Sequence, residues 1–390
     1  MSLRNVIRSW LEWRRYRKLP FSKRQITFYS EGRNYLKYLQ PVIERLVENH
    51  GVDVCYVTSE DDDTHLLDKN SQIHTFRIPS ESVRILFFQS LDTNVLAMTM
   101  PDLESFHIKR SRHPVHYAYI HHSVVSTHMI YNATAFDHFD SILCVGPHHV
   151  EETRKWETRH GLKEKSLHEH GYAPIDSLLK ISRDNASGAP SNDNRHILVA
   201  PTWGPNGLLE TVGEDIVAKL LEAEYRVTVR PHPRTRQLTP QVIESLTNRF
   251  SGNPDFSIET SIAGFESLLS AAIMISDWSG AAMEFAFGLE KPVLYIDLPA
   301  KVNNPAYTDI DSTPIESFIR NDIGTVLQPD NIDQIANALE DLLENREEKT
   351  KSIRASRDKW MFNVDKSDHK GAEIIYSLLT SSPQNTTGSS

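Results

Sequence analysis

Histidine, arginine and serine residues gather at four places where an apolar run gives way to polar residues. The first of these is the segment "YIHHSVVSTH", which contains His121, His122, Ser123 and His128. A histidine at the end of a buried strand can act as a general base, because its ordinary pKa lies near neutrality. Neighbouring residues of an extended segment point to opposite sides, so only one of the adjacent histidines can face a given cleft. The alternatives are structural histidines or a metal site, and the spacing does not favour a metal.

The segment "VTVRPHPRTR" places a histidine among prolines and arginines. His232 lies between two prolines, which restrict the backbone and hold the imidazole at the end of a predicted strand. Arg230, Arg234 and Arg236 surround it with positive charge, and this suits an anionic ligand. The alternative interpretation is a rigid turn that is exposed to solvent.

Two further segments predict turns that could hold a phosphate. "VAPTWGPNG" contains Thr202, Trp203 and Gly204 in a strand-to-helix turn, where backbone N–H groups can approach a phosphate. Many such turns contain glycine, so this segment is a weak signal by itself.

"SDWSGAAMEF" contains more polar residues than a helix cap needs. They are Ser276, Asp277, Ser279 and Gly280. One serine is sufficient as an N-cap. The additional polar residues, the free N–H groups of the first helical turn and the helix dipole together predict a site for a diphosphate. Glu284, one turn further on, is expected to bind a hydroxyl or to restrain the site.

Predicted strands and helices alternate around these four segments. Apolar runs such as "QITFYSEG" and "VDVCYVTSE" predict strands, and "NYLKYLQPVIERLVENHG" predicts an amphipathic helix. This alternation predicts an α/β protein with parallel sheets and crossover helices. In such sheets the ligand lies beyond the carboxyl ends of the strands, where the four segments are placed.

The length of 390 residues predicts two domains. Two α/β halves of similar size are expected to face each other across a cleft. The predicted parts are a basic amphipathic segment at residues 1–24, an N-terminal domain at 25–181, a linker or exposed loop at 182–195, a C-terminal domain at 196–378 and a disordered tail at 379–390.

Composition excludes several classes of protein. A formal net charge of -10 argues against a general nucleic-acid-binding protein. Cys55 and Cys144 lie in apolar runs and are expected to be reduced core residues, as in a cytoplasmic protein. No apolar run reaches the roughly 18 residues that a membrane span requires.

The first 24 residues are strongly basic, and Glu12 is their only acidic residue. Leu3, Ile7, Trp10 and Leu11 recur at helical spacing, so this segment predicts an amphipathic helix with a cationic face. Such a helix suits the surface of an anionic membrane. The alternative is an ordinary first helix that packs its tryptophans on the domain.

The order of the segments resembles a known family. "YIHHS", "HGYAPID", "APTWG", "RPHP" and "SDWSGAAMEFAF" followed by "KPVLYID" are similar to the CDP-glycerol glycerophosphotransferases, which build teichoic acids and capsules of the cell envelope. The resemblance covers about residues 119–297 and implies a GT-B fold, with two Rossmann-like domains whose parallel sheets face a central cleft. It further implies acceptor residues on the N-terminal domain, a cytidine nucleotide on the C-terminal domain and a peripheral position on the inner face of the cell membrane.

The resemblance also implies roles for individual residues. His122 falls at the family's catalytic base and His232 at its diphosphate, and both are expected to be catalytic. Ser123 and His128 are expected on the acceptor side. The expected donor and phosphate ligands are Arg230, Arg234, Thr202, Trp203, Gly204, Ser276, Asp277, Ser279, Gly280 and Glu284. No metal and no cofactor are expected beyond the nucleotide-activated donor.

This chain departs from the family pattern mainly on the acceptor side. The family has a His-Gly-Thr segment, whereas here His122 is followed directly by Ser123, and the lysine expected shortly afterwards is missing from "SVVSTH". "GYAPID" lacks the arginine of the corresponding family motif. Glu284 replaces an aspartate. These departures weaken the prediction that glycerol phosphate is the transferred group. They weaken the prediction of a nucleotide-activated donor less.

Three functions follow as hypotheses. The first is transfer of glycerol phosphate, or a similar polyol phosphate, from a CDP-activated donor to a glycan or lipid-linked acceptor. The second is a glycosyltransferase of the same fold that uses a CMP- or UDP-sugar. The third is a non-catalytic scaffold in a polysaccharide assembly complex.

Overall fold

Two parallel sheets, one in each half of the chain, form the framework of the protein. The computed structural model describes residues 3–60, 70–105, 108–186, 194–260 and 265–381. The first sheet has the order β3-β2-β1-β4-β5-β6-β7 and the second the order β10-β9-β8-β11-β12-β13. The strands are β1 (Ile26–Ser30), β2 (Val54–Thr58), β3 (Ile73–Arg77), β4 (Val95–Met98), β5 (His116–Ile120), β6 (Ser141–Cys144), β7 (Ser166–Glu169), β8 (His196–Val199), β9 (Arg226–Val229), β10 (Phe256–Ile258), β11 (Ile273–Ser276), β12 (Val293–Ile296) and β13 (Gly324–Leu327).

Helices cover both faces of each sheet, so the central strands are buried on both sides and consist almost entirely of apolar residues. The helices are α1 (Leu3–Lys18), α2 (Arg33–His50), α3 (Glu81–Gln89), α4 (Thr127–Ile130), α5 (Pro147–His160), α6 (Ala173–Ala186), α7 (Leu208–Thr211), α8 (Gly213–Glu222), α9 (Pro233–Leu238), α10 (Pro240–Phe250), α11 (Glu266–Ser270), α12 (Gly280–Leu289), α13 (Ile315–Ile323), α14 (Ile335–Glu344), α15 (Arg346–Trp360) and α16 (Ser367–Thr380). Cys55 and Cys144 are buried free thiols.

The strand order reverses at one point in each sheet. In the first sheet the reversal lies between β1 and β4, and in the second between β8 and β11. Ligands of open parallel sheets bind in the crevice that such a reversal creates at the carboxyl ends of the strands. The turns after β8 and β11 contain two of the four polar segments noted in the sequence.

The two domains share an apolar core. One buried cluster joins Val125 and Tyr172 of the N-terminal half to Phe285 of α12 and Ile353 of α15. Helix α6 packs against α12, and Leu178 lies so close to Gly288 that a Cβ at position 288 would meet its side chain at 2.6 Å. The junction is therefore packed as tightly as a domain interior at this point.

The last helix returns to the first domain. Ala372 and Ile375 of α16 are buried together with Leu39 and Ile43 of α2. The prediction that residues 196–378 form one C-terminal domain is wrong for this helix, because its apolar face completes the core beside the first sheet.

The predicted boundaries at residues 182 and 379 also differ from the structure. Helix α6 continues to Ala186, inside the predicted linker, and α16 continues to Thr380, inside the predicted tail. The remaining predictions for residues 187–193 and 382–390 lie outside the described residues.

Helix α1 separates its apolar residues onto two faces. Trp13 and Tyr16 are buried, and the helix packs against β3 and α3. Leu3, Ile7, Trp10 and Leu11 are exposed. In the described parts of the chain, no helix has both the length and the apolarity needed to cross a membrane.

Candidate active site between the domains

The loop after β5 is fixed at its far end by the C-terminal domain. The backbone N–H and the hydroxyl of Ser126 donate to the Glu316 carboxylate at 2.9 and 2.7 Å, and both residues are buried. The Asn304 amide donates to the carbonyl of His128 at 2.8 Å. These bonds hold the segment that begins at His121 between the two domains.

His128 belongs to this junction and does not face the cleft. Its ring is buried, with Nε2 3.1 Å from the Ser312 carbonyl and Nδ1 3.4 Å from the Glu152 carboxylate. Burial opposes the charged form of His128, but the Glu152 carboxylate outweighs it and raises the pKa. His128 was predicted on the acceptor side, and the structure places it in this junction with its ring nitrogens next to the Glu152 carboxylate and the Ser312 carbonyl.

The two adjacent histidines have opposite environments. His121 is 2% exposed, and its ring lies 3.9 Å from that of His149. His122 is half-buried and lies among aromatic rings, with ring centroids 5.6 Å from Tyr35, 6.1 Å from Tyr38 and 5.6 Å from Tyr131. The structure thus places His122, and not His121, at the cleft.

One hydrogen bond fixes the tautomer of His122. Its Nδ1 lies 2.9 Å from the carbonyl oxygen of Thr99 and 3.0 Å from the Tyr119 hydroxyl. Because a carbonyl only accepts, Nδ1 bears the hydrogen and Nε2 keeps a lone pair. Burial lowers the pKa of His122 to about 4, and the positive charge of Lys37 lowers it further, although the Thr99 carbonyl acts in the opposite direction. In the free protein this group therefore titrates well below the neutral range that the sequence suggested.

His232 has the opposite tautomer. Its backbone is the N-cap of α9, and its Nδ1 accepts a hydrogen bond from the Arg234 backbone N–H at 3.1 Å. In the neutral ring Nε2 then bears the hydrogen and is a donor. Burial lowers the pKa of His232 to about 4, with further contributions from Lys301 and Arg234. The ring remains neutral near pH 7 and can donate to an anion.

A stack of cations and rings lies beside His232. The Trp203 ring lies 6.1 Å from the His232 ring. The Lys301 ammonium lies 3.6 Å and the Arg234 guanidinium 5.1 Å from the centroid of the Trp203 ring. Lys301 also donates to the Thr202 hydroxyl at 3.3 Å, and mainly burial lowers the pKa of this lysine to about 8. Gly204 follows with φ of 126°, a conformation that favours glycine. Lys301 and Arg234 therefore place two positive charges beside the turn after β8.

Ser276 and Asp277 form hydrogen bonds with the backbone of this turn. The Ser276 hydroxyl donates to the carbonyl of Ala200 at 2.9 Å. The Asp277 carboxylate accepts from the backbone N–H groups of Thr202 at 2.7 Å and Leu208 at 3.0 Å. Both side chains are at most 1% exposed, so the prediction that they contact the donor directly is wrong. Their hydrogen bonds instead hold the turn that contains Thr202 in place.

Ser279 and Gly280 form the start of α12. The Ser279 hydroxyl accepts from the backbone N–H of Ala281 at 3.3 Å, as the capping prediction required. Gly280 faces the other domain, since a Cβ added there would lie 3.0 Å from the Ser123 hydroxyl and 3.3 Å from Val125. The N-terminus of α12 therefore lies directly against the segment that contains His122.

Glu284 and Arg230 complete the boundary between the domains. The Tyr172 hydroxyl donates to the Glu284 carboxylate at 2.6 Å and lies 3.2 Å from the carbonyl oxygen of His122. Arg230, at the end of β9, is half-buried. Burial lowers its pKa, while the carboxylates of Glu259 and Glu284 act in the opposite direction. Through Tyr172, Glu284 is therefore connected to the backbone of His122 on the other side of the boundary.

Several residues of the cleft were missed in the sequence. They are Tyr35, Lys37, Tyr38, Tyr172 and Lys301. Tyr35, Lys37 and Tyr38 belong to an ordinary amphipathic helix, and Lys301 follows an apolar strand without a recognisable motif, so no local signal distinguished these four. Tyr172 lies in the segment "HGYAPID", which contributes to the family resemblance but did not indicate a role for this tyrosine. Among the described residues, no group of three or more histidine, cysteine, aspartate or glutamate side chains could hold a metal ion.

Comparison with solved structures shows the same fold at low sequence identity. UDP-GlcNAc 2-epimerase from Methanocaldococcus jannaschii, in complex with UDP-GlcNAc and UDP, matches with a TM-score of 0.56 and 12% identity over 90% of this chain and 99% of that one. A glycosyltransferase from Rickettsia africae matches with a TM-score of 0.51 and 12% identity over 92% and 100%. Anabaena HepE, in complex with UDP and glucose, matches with a TM-score of 0.53 and 10% identity over 91% and 100%. The predicted GT-B-like fold is confirmed.

Comparison of the sequence with protein families gives a match over almost the whole chain. The family described as CDP-glycerol:poly(glycerophosphate) glycerophosphotransferase matches residues 12–380. No curated protein matches the chain.

Proposed function

Because the chain belongs to the CDP-glycerol:poly(glycerophosphate) glycerophosphotransferase family, we propose that it transfers glycerol phosphate, or a similar polyol phosphate, from a CDP-activated donor to a hydroxyl group of a glycan or lipid-linked acceptor. The observation that supports this most directly is the pair of neutral histidines in the cleft. His122 offers a lone pair on Nε2, and His232 offers a hydrogen on Nε2. Transfer of a phosphoryl group to a hydroxyl requires one group that accepts the hydroxyl proton and another that donates a hydrogen bond to the phosphate.

In the proposed reaction the acceptor hydroxyl gives its proton to Nε2 of His122 while its oxygen attacks the β-phosphorus. The new O–P bond forms as the P–O bond to the CMP phosphate breaks, and CMP leaves with that electron pair. His232 donates to a phosphate oxygen, and Lys301 and Arg234 balance the negative charge. The start of α12 supplies backbone N–H groups to the same anion. Phosphoryl transfer depends on such positioning and electrostatic stabilisation.

The donor is best identified by offering the purified protein CDP-glycerol, CDP-ribitol, CMP-sugars and UDP-sugars with a polyol-phosphate or glycolipid acceptor. We expect release of CMP together with an acceptor mass increase of one polyol phosphate. An increase of one sugar residue, with release of UDP or CMP, would identify a glycosyltransferase instead. Absence of binding to every one of these nucleotides would support the scaffold hypothesis and contradict the proposal.

We further propose that α1 binds an anionic membrane surface. Its outer face exposes Leu3 by 74%, Ile7 by 53% and Leu11 by 59%, a contiguous apolar stripe at helical spacing. Arginines at positions 4, 8, 14 and 15 lie on the same helix. An apolar stripe with adjacent cations is the pattern of a helix that lies in the headgroup region. The acceptor would then reach the cleft from a membrane on which the enzyme already rests.

Liposome flotation tests this attachment without removing the helix, whose buried face supports the first domain. Ile7→Glu with Leu11→Glu should reduce binding to vesicles containing anionic lipid by at least about tenfold, since each change places a charge where apolar burial contributed about 1.5–3 kcal/mol. Leu238→Glu, at a residue exposed by 57% on α9, is the matched control and should bind as the wild type does. Equal binding by all three proteins would contradict the proposal.

A further inference from the structure

A lysine of the N-terminal domain lies beside the proposed base. Lys37 is exposed on α2, and its ammonium lies 4.9 Å from the centroid of the Tyr38 ring. The Tyr38 ring lies 6.1 Å from the His122 ring and 5.8 Å from the Tyr172 ring. Lys37 therefore shares one aromatic wall with the base and with the tyrosine that binds Glu284.

Two tyrosines link the same lysine to the opposite domain, because the Tyr38 ring contacts Tyr172, whose hydroxyl donates to Glu284 of α12. The Lys37 side chain as a whole is exposed, but nearby protein atoms partly desolvate its ammonium and oppose the charge; the Glu284 carboxylate and the Tyr38 hydroxyl outweigh this desolvation and raise the pKa. Arg230 acts against this charge, and Lys37 in turn lowers the pKa of His122. Among the ion pairs between described residues, none within 4.0 Å involves Lys37. Among the described residues Lys37 therefore has no direct salt bridge, and the Tyr38 and Tyr172 rings connect it to the Glu284 carboxylate of the other domain.

The transferred phosphoryl group needs a cation at this position. The proposed donor ligands, His232, Lys301 and the start of α12, all belong to the C-terminal domain. They suit the phosphate that leaves with CMP. The phosphoryl group that moves must lie between that phosphate and His122, and its non-bridging oxygens remain negatively charged throughout the transfer. A compact ammonium with three N–H donors is well suited to such an anion.

We infer that Lys37 forms a binding site for the phosphoryl group under transfer and holds that group in line with Nε2 of His122. The inference rests on the proposed function and extends it to a residue on the other side of the cleft. Lys37 stays protonated throughout, so the acceptor proton goes to His122 and the electron pair of the broken P–O bond goes to CMP. In the free protein the Glu284 carboxylate offsets part of the positive charge of Lys37 and of Arg230.

Ligand binding separates this role from a general effect on the fold. CDP has the additional phosphate and CMP does not, so the two nucleotides are compared by calorimetry in wild type, Lys37→Met and Lys37→Arg. We expect Lys37→Met to weaken CDP binding by about tenfold and to leave CMP binding within about twofold. Lys37→Arg keeps the charge and should recover most of the CDP affinity. Lys180→Met, at an exposed lysine in a separate groove with Arg45 and Asp368, is the control.

Kinetics give a second readout that a structural role would not change. In Lys37→Met, kcat/KM for the CDP-activated donor should fall by about 10²–10³. The acid limb of kcat/KM should also move to higher pH, because loss of the positive charge raises the pKa of His122. Because Lys37→Arg keeps the positive charge, both the fall in kcat/KM and the shift of the acid limb should be smaller in this variant. Unchanged CDP affinity and unchanged kcat/KM in Lys37→Met would overturn the inference, and so would equal loss of CMP and CDP binding.

The two proposals fail in different ways. If the wild type transfers no polyol phosphate from any CDP donor, the proposed function is wrong, while the comparison of CDP with CMP still tests the phosphate site at Lys37. If the wild type is active and Lys37→Met is equally active, the function stands and the assignment of Lys37 is wrong. Melting temperatures of all variants should agree with the wild type because Lys37 is exposed.

Discussion

His122 and His232 stand on the two sides of the cleft and differ in which ring nitrogen bears the hydrogen. His122 donates from Nδ1 to the Thr99 carbonyl, and His232 accepts at Nδ1 from the Arg234 backbone N–H. Burial lowers the pKa of both rings to about 4. The pKa therefore does not distinguish them. Their backbone partners make one a proton acceptor and the other a hydrogen-bond donor.

The difference follows from where each histidine lies in its domain. His122 follows β5, which pairs with β4 through Tyr119 and Met98. The carbonyl of Thr99, the residue after Met98, is therefore within reach of the His122 ring. His232 precedes α9, where the first N–H groups of a helix lack intrahelical partners. A strand end offers an acceptor, and a helix start offers a donor. The two elements thus set opposite tautomers for the same side chain.

The largest effect should follow from removal of the proposed base. His122→Ala should lower kcat by about 10²–10⁴, the usual contribution of a general base, and should leave CMP affinity unchanged. Steady-state kinetics and calorimetry measure the two quantities. His121→Ala is the matched control, and it should lower the melting temperature while the folded fraction keeps a near-normal rate, since His121 is only 2% exposed. If His121→Ala loses the rate instead, the assignment of the two histidines is reversed.

Replacement of His232 should separate its two ring nitrogens. His232→Asn can still cap α9 through its side-chain oxygen but loses the donor on the far side of the ring. We expect CDP affinity to fall by about 10–100-fold, because a hydrogen bond to a charged group contributes about 1.5–3 kcal/mol. In His232→Gln the longer side chain extends its amide towards the ligand and no longer caps α9. This variant should therefore bind CDP more tightly than His232→Asn and melt at a lower temperature. The reverse ranking of the two variants would show that Nδ1, and not Nε2, faces the ligand.

A smaller effect is expected in the pH dependence of the rate. For the free enzyme, kcat/KM should stay level below neutrality and decline near pH 4, where His122 becomes protonated and loses its lone pair. Bound phosphates place negative charge near the ring and raise its pKa, so the acid limb of kcat should lie at higher pH than that of kcat/KM. Identical acid limbs would contradict the placement of His122 beside the transferred phosphate.

The fold itself should weaken over the same range, which must be monitored separately. His149 and His170 are buried, and burial lowers their pKa values to about 3 and about 4, with His148 adding to the effect on His149. Between pH 6.5 and 4 these two histidines are protonated in the unfolded chain but remain neutral in the folded protein. Stability is thus full above the ordinary histidine pKa and declines as the pH falls towards the folded values. Melting temperatures measured at each pH identify the points where loss of activity reflects unfolding.

The positions of the polar segments could be predicted because their signals are local. His122 follows β5, Trp203 follows β8, His232 follows β9 and Ser279 follows β11, all at carboxyl ends of parallel strands. Short apolar runs, prolines and a capping serine are visible in any sequence. The parallel topology then brings these strand ends to the cleft.

Other features depend on contacts between distant segments and could not be predicted. Ser276 and Asp277 have the residue types of phosphate ligands, yet the fold uses their oxygens for Ala200, Thr202 and Leu208. Lys37 looks like any solvent-exposed lysine of an amphipathic helix, and only the contacts of Tyr38 with Tyr172 and of Tyr172 with Glu284 connect it to the other domain. The absence of the family's lysine after His122 gave no indication of the lysine on α2 for which a role is proposed above.

The smallest predicted effect concerns the distance between the two sides of the cleft. A methyl group at position 280 would lie 3.0 Å from the Ser123 hydroxyl and 3.3 Å from Val125, so one side must move by a few tenths of an ångström. A misplacement of about 1 Å can cost about 10² in rate, and this smaller shift should cost a few-fold. Gly280→Ala should therefore lower kcat/KM about two- to fivefold without lowering the melting temperature, because alanine is the better helix former.

A second substitution tests whether the contact with Ser123 causes that loss. Ser123→Ala removes the hydroxyl that the new methyl group meets and leaves the Val125 contact in place. The double variant Ser123→Ala/Gly280→Ala should recover most of the rate, although Ser123→Ala alone changes it little. If the double variant stays as slow as Gly280→Ala, the contact with Ser123 is not what sets the gap. If Gly280→Ala has the wild-type rate, His122 and the phosphate side can shift by a few tenths of an ångström without cost, and the rate then depends on the tautomers of the two histidines more than on a fixed separation.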